Sequence, residues 1–301
     1  TEENTVTKRK HSGIPKRAYG KTGVELSVIG FGGIVVTNLP QEEANRVVAE
    51  AVERGVNYFD VAPTYGDAEE RLGPALEPYR KSVFLACKTT ARDRETAEME
   101  FQRSLERLRT DYFDLYQLHG ITSVEKDVEP VFAKNGVMDM LVEKRKAGQI
   151  RYIGFSAHST EASLAAMDRF DFDSLLFPFN FAAYHKGKFG QRVMAKAQEK
   201  GVARLALKAM ARQRWQENDP QRSQFPKCWY EPLADRESAA LALRWTLSQT
   251  ITAAIPPGEV PLFNMALDIA EDFRPISEEE EKSLLAMATD LVPVFDESQA
   301  A

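Results

Sequence analysis

Residues 57–66, NYFDVAPTYG, join an apolar strand-like run to two functional side chains. The run ends at Asp60, and Tyr65 follows five residues later. Acidic side chains are rarely buried without a partner, because an unpaired charge in an apolar environment costs more free energy than a single contact returns. A buried strand that ends in a carboxylate therefore predicts that polar partners lie on the neighbouring strands.

Two further apolar runs end in ionisable residues. VFLACKTT places Lys88 near its end, and YFDLYQLHG does the same with His119. Consecutive parallel strands joined by right-handed crossovers usually lie side by side. We therefore expect Asp60, Lys88 and His119 to meet at one edge of a sheet, with Tyr65 reaching over from a loop.

Apolar runs alternate with amphipathic segments along most of the chain. Continuous apolar runs are typical of parallel strands that are covered on both faces. Eight strand and helix pairs predict a (β/α)8 barrel with long loops on its C-terminal face, and a doubly wound open sheet is the alternative. The predicted strands are residues 26–33, 57–62, 83–89, 112–120, 152–157, 174–180, 203–209 and 252–258.

Each predicted helix carries one apolar face. In residues 44–55 the apolar stripe ends at Gly55, where a left-handed C-terminal cap is expected. Residues 94–108 show the same period. Near the end of the chain, Ser277 followed by Glu280 is a capping-box pattern, which predicts the start of the last helix.

Length and patterning predict one domain. The 301 residues are expected to form a single barrel domain, with residues 1–15 as a flexible tail and residues 275–301 as a C-terminal helix and tail. The basic group made by Lys8 to Lys10, Lys16 and Arg17 is predicted to be solvated and not to form a binding arm.

Charge and cysteine content narrow the function classes. A net charge of −6 argues against binding to nucleic acid, which needs a clustered basic face. No apolar stretch approaches the ~20 residues that a membrane helix needs. Cys87 and Cys228 are far apart in the chain, which suits a reducing compartment. We expect a cytoplasmic protein that acts on a small molecule, binds no nucleic acid or membrane, and forms a monomer or small homo-oligomer.

Common nucleotide and metal motifs are missing from the sequence. GFGG, residues 30–33, lacks the third glycine of GxGxxG and is not followed at once by a helix, so a Rossmann site is not predicted. There is no P-loop, HExxH or GxSxG motif. His119, His158 and His185 are too scattered to indicate a metal site, and none is predicted.

The three residues at the predicted strand ends, together with Tyr65 in the loop, suit proton transfer to a carbonyl oxygen. A free tyrosine has a pKa of about 10, so Tyr65 gives up its proton near neutral pH only if the phenolate is stabilised. Lys88 can do this, with Asp60 as the counter-ion that keeps the ammonium charged. His119 can donate a hydrogen bond to the substrate oxygen. None of them supplies electrons, so a nicotinamide cofactor is predicted as the hydride donor.

Two long segments interrupt the alternation of strands and helices. One spans residues 210–237 and the other follows His119, and in a barrel both lie on the C-terminal face, where active sites are found. The first contains Trp215, Trp229 and Tyr230, which are predicted walls of the substrate pocket. The alternative is that these aromatic side chains pin the loop to the body of the protein.

Several segments resemble the aldo-keto reductases in order, spacing and local sequence. They are GKTGVELSVIGFGG, GVNYFDVAPTYGDAEERLG, the runs ending in Lys88 and His119, and RYIGFSAHS. The resemblance covers nearly the whole chain and implies the family's (β/α)8 barrel with an N-terminal β-hairpin. It also implies that Asp60, Tyr65, Lys88 and His119 form the catalytic tetrad of an NAD(P)H-dependent carbonyl reductase, with Tyr65 as the general acid.

By the same resemblance, the cofactor contacts fall at several strand ends. Gly32 and Gly33 match positions near the nicotinamide, and Ser156 matches a position that contacts its carboxamide. Cofactor contacts are also predicted at Lys208, Pro256 and Gly258.

The chain departs from the family pattern near the predicted nicotinamide. Ala157 stands where many members have Asn, and Leu176 replaces the usual Gln. Lys208 occupies a position at which many members have a tyrosine that stacks on the nicotinamide. This lysine could touch the pyrophosphate.

The segment after the eighth predicted strand leaves the choice of nucleotide open. Leu262 and Ala266 stand where the family commonly has a basic residue for the 2′-phosphate of NADPH and an Asn for adenine. Glu259 adds a carboxylate that would repel a phosphate. NADPH is expected from the family, with NADH as the alternative.

Two other functions are compatible with the same residues. Lys88 could be the nucleophile of a lyase that forms a Schiff base. The missing cofactor contacts also allow a regulatory or sensor subunit that binds a nicotinamide nucleotide and has negligible turnover.

Overall fold

Short strands with buried side chains form the centre of the structure, a computed structural model that describes residues 13–297. In chain order the strands are β1 (Lys16–Ala18), β2 (Glu25–Ser27), β3 (Phe31–Gly32), β4 (Tyr58–Asp60), β5 (Phe84–Thr89), β6 (Phe113–Ile121), β7 (Ile150–Ala157), β8 (Ser174–Pro178), β9 (Ala203–Leu207), β10 (Ala211–Gln213), β11 (Glu231–Pro232) and β12 (Ala253–Ile255). Eight of them form one parallel sheet in the order β3-β4-β5-β6-β7-β8-β9-β12.

The two edges of this sheet approach each other and nearly close a barrel. The Ala254 amide donates to the Val28 carbonyl at 2.8 Å, and the Gly30 amide donates to the Ala254 carbonyl at 2.9 Å. Glycine is needed at residue 30 in this closure, because a Cβ there would lie 3.2 Å from the Ile255 side chain on β12 and would overlap the Tyr58 ring at 2.6 Å. The predicted (β/α)8 barrel is therefore confirmed, and the doubly wound open sheet is wrong.

The predicted N-terminal hairpin is present and covers the amino ends of the barrel strands. Strands β1 and β2 pair antiparallel. Tyr19, just after β1, is buried, and its hydroxyl donates to Ser174 Oγ at 2.7 Å. Its ring packs edge-to-face on Phe84, with the ring centroids 5.1 Å apart. The hairpin thereby seals the interior of the barrel at this end.

The N-terminal basic group differs from the expectation of a solvated tail where the structure describes it. Lys16 and Arg17 belong to β1, and the Arg17 guanidinium donates to the carbonyls of Leu247 and Ile251, each at 2.7 Å. Ile14 is buried and its amide donates to the Arg54 carbonyl. Lys8 to Lys10 lie outside the described residues.

Helices surround the barrel. They are α1 (Gln41–Glu53), α2 (Ala68–Leu76), α3 (Arg94–Arg107), α4 (Glu129–Val131), α5 (Val137–Lys146), α6 (Thr160–Arg169), α7 (Phe181–His185), α8 (Gln191–Lys200), α9 (Arg236–Ser248), α10 (Val260–Glu271) and α11 (Glu278–Ala288). Short 3-10 segments lie at Gly33–Val36, Glu77–Tyr79 and Pro220–Gln224, and a π-helical turn lies at Val124–Val128. None of the helices within residues 13–297 is long and apolar enough to cross a membrane.

The helix caps follow the sequence signals. The capping box at the start of α11 is confirmed, since Ser277 Oγ accepts from the Glu280 amide at 3.2 Å and the Glu280 carboxylate accepts from the Ser277 amide at 2.9 Å. Gly55, after α1, has a φ of 97°, as expected for a left-handed cap.

The first and the eighth strands of the barrel are shorter in the structure than the sequence predicted. Strand β3 has two residues and β12 has three. Residues 28–30 meet Ala254 through an isolated bridge and not through a longer ladder. Strand β12 ends before Pro256 and Pro257, because proline has no amide hydrogen to donate to the neighbouring strand.

The long segment over residues 210–237 contains structure that the sequence pattern did not indicate. Strands β10 and β11 pair antiparallel within it, with Ala211 opposite Pro232 and Gln213 opposite Glu231. Their pairing depends on contacts between residues about twenty positions apart, so no local signal marks it.

A buried ion pair joins three strands of the barrel on the hairpin side, and we predict that its loss destabilises the fold. The carboxylate of Asp114 accepts from Arg80 at 3.0 Å, from Arg151 at 2.8 Å and from the Leu85 amide at 2.9 Å. Asp114→Ala leaves the buried Arg80 without its counter-ion, which should lower the free energy of unfolding by about 3–5 kcal/mol. Urea denaturation measures the change.

The matched control for this variant removes an exposed ion pair. Glu161 contacts Arg192 at 2.6 Å, and both side chains are about two-thirds exposed. Glu161→Ala should change the free energy of unfolding by less than about 1 kcal/mol. Equal losses in the two variants would contradict the structural role given to Asp114.

Candidate active site

The parallel strands bring the predicted catalytic residues to one end of the barrel. Asp60 ends β4, Lys88 lies near the end of β5 and His119 lies in β6. These three strands are neighbours in the sheet. Tyr65 follows β4 in a tight turn, in which its amide donates to the Ala62 carbonyl at 3.0 Å. The structure therefore brings all four side chains together.

Lys88 lies at the centre of this group. Its side chain is fully buried, and Nζ donates to the Asp60 carboxylate, to the Tyr65 hydroxyl at 3.3 Å and to the Val61 carbonyl at 3.3 Å. Burial by itself lowers the pKa of Lys88, but the charge of Asp60 and the hydrogen bond to its carboxylate outweigh burial and raise the pKa above its ordinary value. The lysine therefore stays an ammonium, whereas a Schiff-base nucleophile needs the neutral amine.

Asp60 is held by two further side chains that the sequence analysis missed. Gln117 Nε2 donates to Asp60 Oδ2 at 2.9 Å, and the Tyr58 hydroxyl donates to the same oxygen at 3.2 Å. A signal for both existed, because side chains two residues apart in a strand share a face. Tyr58 precedes Asp60 by two positions, and Gln117 precedes His119 by two.

Tyr65 is a protonated phenol at neutral pH. Burial raises its pKa, the Lys88 ammonium opposes that rise, and the Asp60 charge adds to it, so that the pKa lies above its ordinary value. The ring also meets His119 edge-to-face, with the ring centroids 5.8 Å apart. A proton is thus available beside a fixed positive charge.

His119 is a neutral imidazole. Burial lowers its pKa to about 3, and the positive charges of Lys88, Arg92 and Lys208 act in the same direction. Its Nδ1 is buried and has no hydrogen-bond partner among the residues that the structure describes. The backbone carbonyl of His119 accepts from Arg92 at 2.7 Å, which fixes the strand end.

A cavity of about 280 Å³ opens above these side chains at the carboxyl ends of the strands. Its lining includes all four predicted catalytic residues and most of the predicted cofactor contacts, which are Gly32, Ser156, Lys208, Pro256 and Gly258. Gly33 is outside the lining, and a Cβ there would lie 2.7 Å from a methyl group of Val61. A larger open depression near Arg109 and Tyr112 lies at the amino ends of the strands and contains none of the predicted residues.

The predicted substrate pocket forms only in part. Trp229, which is 54% exposed, and Tyr230 line the cavity. Trp215 does not: its ring stacks on Phe225, and its Nε1 donates to the Cys228 carbonyl at 3.0 Å. The contacts given for Trp215 thus lie inside the long loop, and they attach the loop neither to the cavity nor to the body of the barrel.

Two basic side chains in the lining were not predicted as site residues. His158 follows β7, and its Nε2 lies 3.5 Å from Lys208 Nζ. Lys227 comes from the long loop, and its Nζ donates to the Val35 carbonyl at 2.9 Å. The SAHS motif brings His158 to the strand end, but no sequence signal could place Lys227, because it reaches the cavity only through the folding of the loop.

Comparisons with known proteins agree with this architecture. The model of the Aldo/keto reductase family matches residues 28–289. Aldo-keto reductase YhdN of Bacillus subtilis is 32% identical over an alignment of 159 residues, with 46% of this chain and 46% of that protein covered. L-galactose dehydrogenase of Arabidopsis thaliana is 29% identical over 173 residues, or 52% of each chain. The chain spans about half the length of the curated relatives it matches.

A solved structure shares the fold over nearly its full length. The holo form of aldo-keto reductase AKR11C1 from Bacillus halodurans has a TM-score of 0.71 and 22% sequence identity, with 93% of this chain and 98% of that chain covered. A parallel barrel with polar side chains at the carboxyl ends of its strands is the architecture of the (β/α)8 enzymes. Since the family match extends over most of the chain, the protein belongs to the aldo/keto reductase family.

We predict that His119 and His158 stay uncharged between pH about 5 and 8. Burial lowers the pKa of each imidazole to about 3, and neighbouring positive charges add to the effect. In the unfolded chain both rings take up a proton near pH 6.5, so the free energy of unfolding should fall as the pH is lowered through that value. NMR titration of the ring protons, assigned with His119→Asn and His158→Asn, measures both midpoints, and a midpoint near 6 for either ring would contradict the prediction.

Proposed function

We propose that the protein reduces the carbonyl group of a small aldehyde or ketone to an alcohol, with a nicotinamide nucleotide as the hydride donor and Tyr65 as the general acid. One observation carries the proposal: the Lys88 ammonium lies between the Asp60 carboxylate and the Tyr65 hydroxyl at the wall of a cavity. Loss of the phenol proton creates a phenolate beside a charge that is already in place and needs no rearrangement.

The residues of the cavity fit a nicotinamide nucleotide, which supplies a hydride when it is bound. The Ser156 hydroxyl accepts from the Gly120 amide at 2.8 Å, which leaves its own proton free to donate to a carboxamide. Gly32 and Gly258 bring bare backbone to the lining, and a Cβ at Gly258 would lie 2.4 Å from an Ile34 methyl group. Gly32, Ser156, Pro256 and Gly258 are the proposed cofactor contacts.

The preferred nucleotide is proposed to be NADPH, with NADH as the alternative. Glu259, the carboxylate that would repel a 2′-phosphate, accepts from the Lys227 backbone amide at 2.7 Å. The side chain of Lys227 also adds a positive charge to this loop, which a 2′-phosphate could contact. Separate titrations with NADPH and NADH determine the preference, and tighter binding of NADH would overturn it.

Proton transfer in the proposed reaction depends on two neutral donors. The raised pKa of Tyr65 keeps its proton in place until negative charge develops on the substrate oxygen. The lowered pKa of His119 keeps the imidazole neutral, so that one ring nitrogen can donate a hydrogen bond to the same oxygen. Leu176, Leu207 and Ile255 form apolar walls that exclude water from this region.

We predict that Tyr65→Phe abolishes most of the turnover and spares nucleotide binding. Removal of the hydroxyl takes away the acid but leaves the ring in its contact with His119, so kcat should fall by about 10²–10⁴-fold. Steady-state assays with a panel of aldehydes measure kcat, and fluorescence titration measures the dissociation constant of the nucleotide.

The control is Tyr79→Phe, since Tyr79 lies in the depression at the amino ends of the strands, far from the cavity. Its kcat should equal that of the unmodified protein. Full activity in Tyr65→Phe would refute the assignment of the acid. If the unmodified protein binds the nucleotide but oxidises none of it in a single turnover with any aldehyde, the sensor function replaces the reductase function.

A further inference from the structure

The Lys208 ammonium is a buried cation without a counter-ion among residues 13–297. The residue is 8% exposed and lies in the lining of the cavity. The only hydrogen-bond contact of Lys208 Nζ within residues 13–297 is His158 Nε2, at 3.5 Å, and no carboxylate in these residues forms an ion pair with it. Lys88, the other buried lysine of the cavity, has Asp60 as its partner. Within residues 13–297, the burial of Lys88 is thus compensated by a carboxylate and the burial of Lys208 is not.

The backbone at Lys208 is held in an unfavourable conformation. Its φ is 63°, in the left-handed region that favours glycine. The Asn180 amide group maintains this turn by donating to the Lys208 carbonyl at 3.1 Å and to the Ala211 carbonyl at 2.7 Å. Strained backbone persists where the surrounding structure enforces it, and such positions concentrate at functional sites. The strain at Lys208 keeps its side chain in the cavity.

Aromatic rings surround the ammonium. Nζ lies 5.3 Å from the centroid of the Trp229 ring and 5.8 Å from that of Phe295. The His158 ring stacks on Phe295, with the centroids 5.6 Å apart. Since the pKa of His158 is lowered to about 3 by burial and by the Lys208 charge, its neutral Nε2 can accept a hydrogen bond from the lysine. Burial lowers the pKa of Lys208 to about 8, as expected for a cation that lacks an anionic partner.

The charges of the cavity are unbalanced. Asp60 is the one acidic side chain among the described residues of the lining, and its oxygens already accept from Lys88, Gln117 and Tyr58. Lys208 remains uncompensated, and an anionic group of a ligand would restore the balance.

We propose that Lys208 binds the carboxylate of the substrate, so that the preferred substrates are carbonyl compounds carrying a carboxylate, and that His158 positions the ammonium for this contact. The inference rests on the proposed reductase function and names its substrate class. Lys208 and His158 line the same cavity as Tyr65 and His119, so a small substrate can contact the ammonium and the proposed acid together. A charge-assisted hydrogen bond to a carboxylate is strong in such a water-poor environment.

The main experiment compares acids with neutral analogues of the same shape. The substrates are the 2-, 3- and 4-carboxybenzaldehydes and their methyl esters, which vary the distance between the carbonyl and the charge. For at least one isomer, the ratio of kcat/KM for the acid to that for the ester should favour the acid by at least about 10-fold, and Lys208→Met should lower this ratio by about 10- to 100-fold. An unchanged ratio in Lys208→Met, or no preference for any acid, would overturn the proposal.

Two further variants separate charge from structure. Lys208→Arg keeps the positive charge and should retain part of the preference for the acid. Lys196→Met removes a lysine that pairs with Asp168 away from the cavity, so it should leave the ratio unchanged. A loss of the ratio in Lys196→Met equal to that in Lys208→Met would show that the effect is not specific to the cavity.

The positioning role of His158 has its own readout. His158→Leu removes the acceptor and should raise the KM for the acid more than the KM for the ester, whereas His158→Gln, whose amide oxygen also accepts, should restore much of the difference. Equal changes for acid and ester in His158→Leu would assign the residue to packing alone.

Two binding measurements distinguish this inference from its alternatives. If Lys208→Met weakens the binding of NADPH and NADH but leaves the ratio of acid to ester unchanged, the lysine holds a phosphate of the nucleotide and the inference is wrong. Benzoate binding, followed by tryptophan fluorescence because Trp229 lies over Lys208, tests the anion contact without turnover. If no carbonyl compound is reduced, the proposed function fails. In that case benzoate binding that is lost in Lys208→Met still supports the anion contact at Lys208. If the unmodified protein binds no benzoate, the anion contact is overturned as well.

Discussion

The buried ion pair between Lys88 and Asp60 is the constraint from which the rest of the site follows. A lysine that is fully buried needs a counter-ion, and β4 supplies one on the neighbouring strand. The carboxylate in turn needs donors for its second oxygen, and Gln117 and Tyr58 provide them. The partners of Asp60 thus come from its own strand, from the neighbouring β5 and from β6 beyond it, and the buried carboxylate is paired, as a low-dielectric interior requires. Parallel strands satisfy this condition because their carboxyl ends meet at one end of the barrel.

The fixed ammonium also sets the protonation of its neighbours. It opposes the rise in the pKa of Tyr65 caused by burial, and it contributes to the fall in the pKa of His119. Both groups are therefore neutral hydrogen-bond donors at the pH at which the protein would work. Lys208 provides the contrast within the same cavity, because no carboxylate in the described part of the chain pairs with its ammonium and burial lowers its pKa to about 8. The fold compensates the charge of Lys88, whereas the charge of Lys208 is the one for which we propose a ligand carboxylate.

The interior and the loops of the barrel differed in how far they could be predicted. Side chains along each central strand point alternately into and out of the barrel, and both sides are mostly apolar. An apolar run that is followed by Asp60, Lys88 or His119 therefore identified the end of each of these strands correctly. Tyr58 and Gln117 obey the same alternation and could have been found with it. Trp215 was assigned to the pocket because it is aromatic, but its contacts with Phe225 and Cys228 lie elsewhere in the loop. Composition alone does not indicate which way a loop side chain faces.

The sequence by itself determined the strand pattern, the barrel and the group of four polar side chains at one end of it. These features depend on local periodicity and on the rule that consecutive parallel strands lie side by side. Only the tertiary structure decided which charges are paired. Lys88 and Lys208 both follow apolar runs and look alike in the sequence. Their difference arises from distant residues: Asp60 reaches the first, whereas His158, Trp229 and Phe295 surround the second. The electrostatic state of a buried group depends on its neighbours in space, and loops folded over the barrel supply most of those around Lys208.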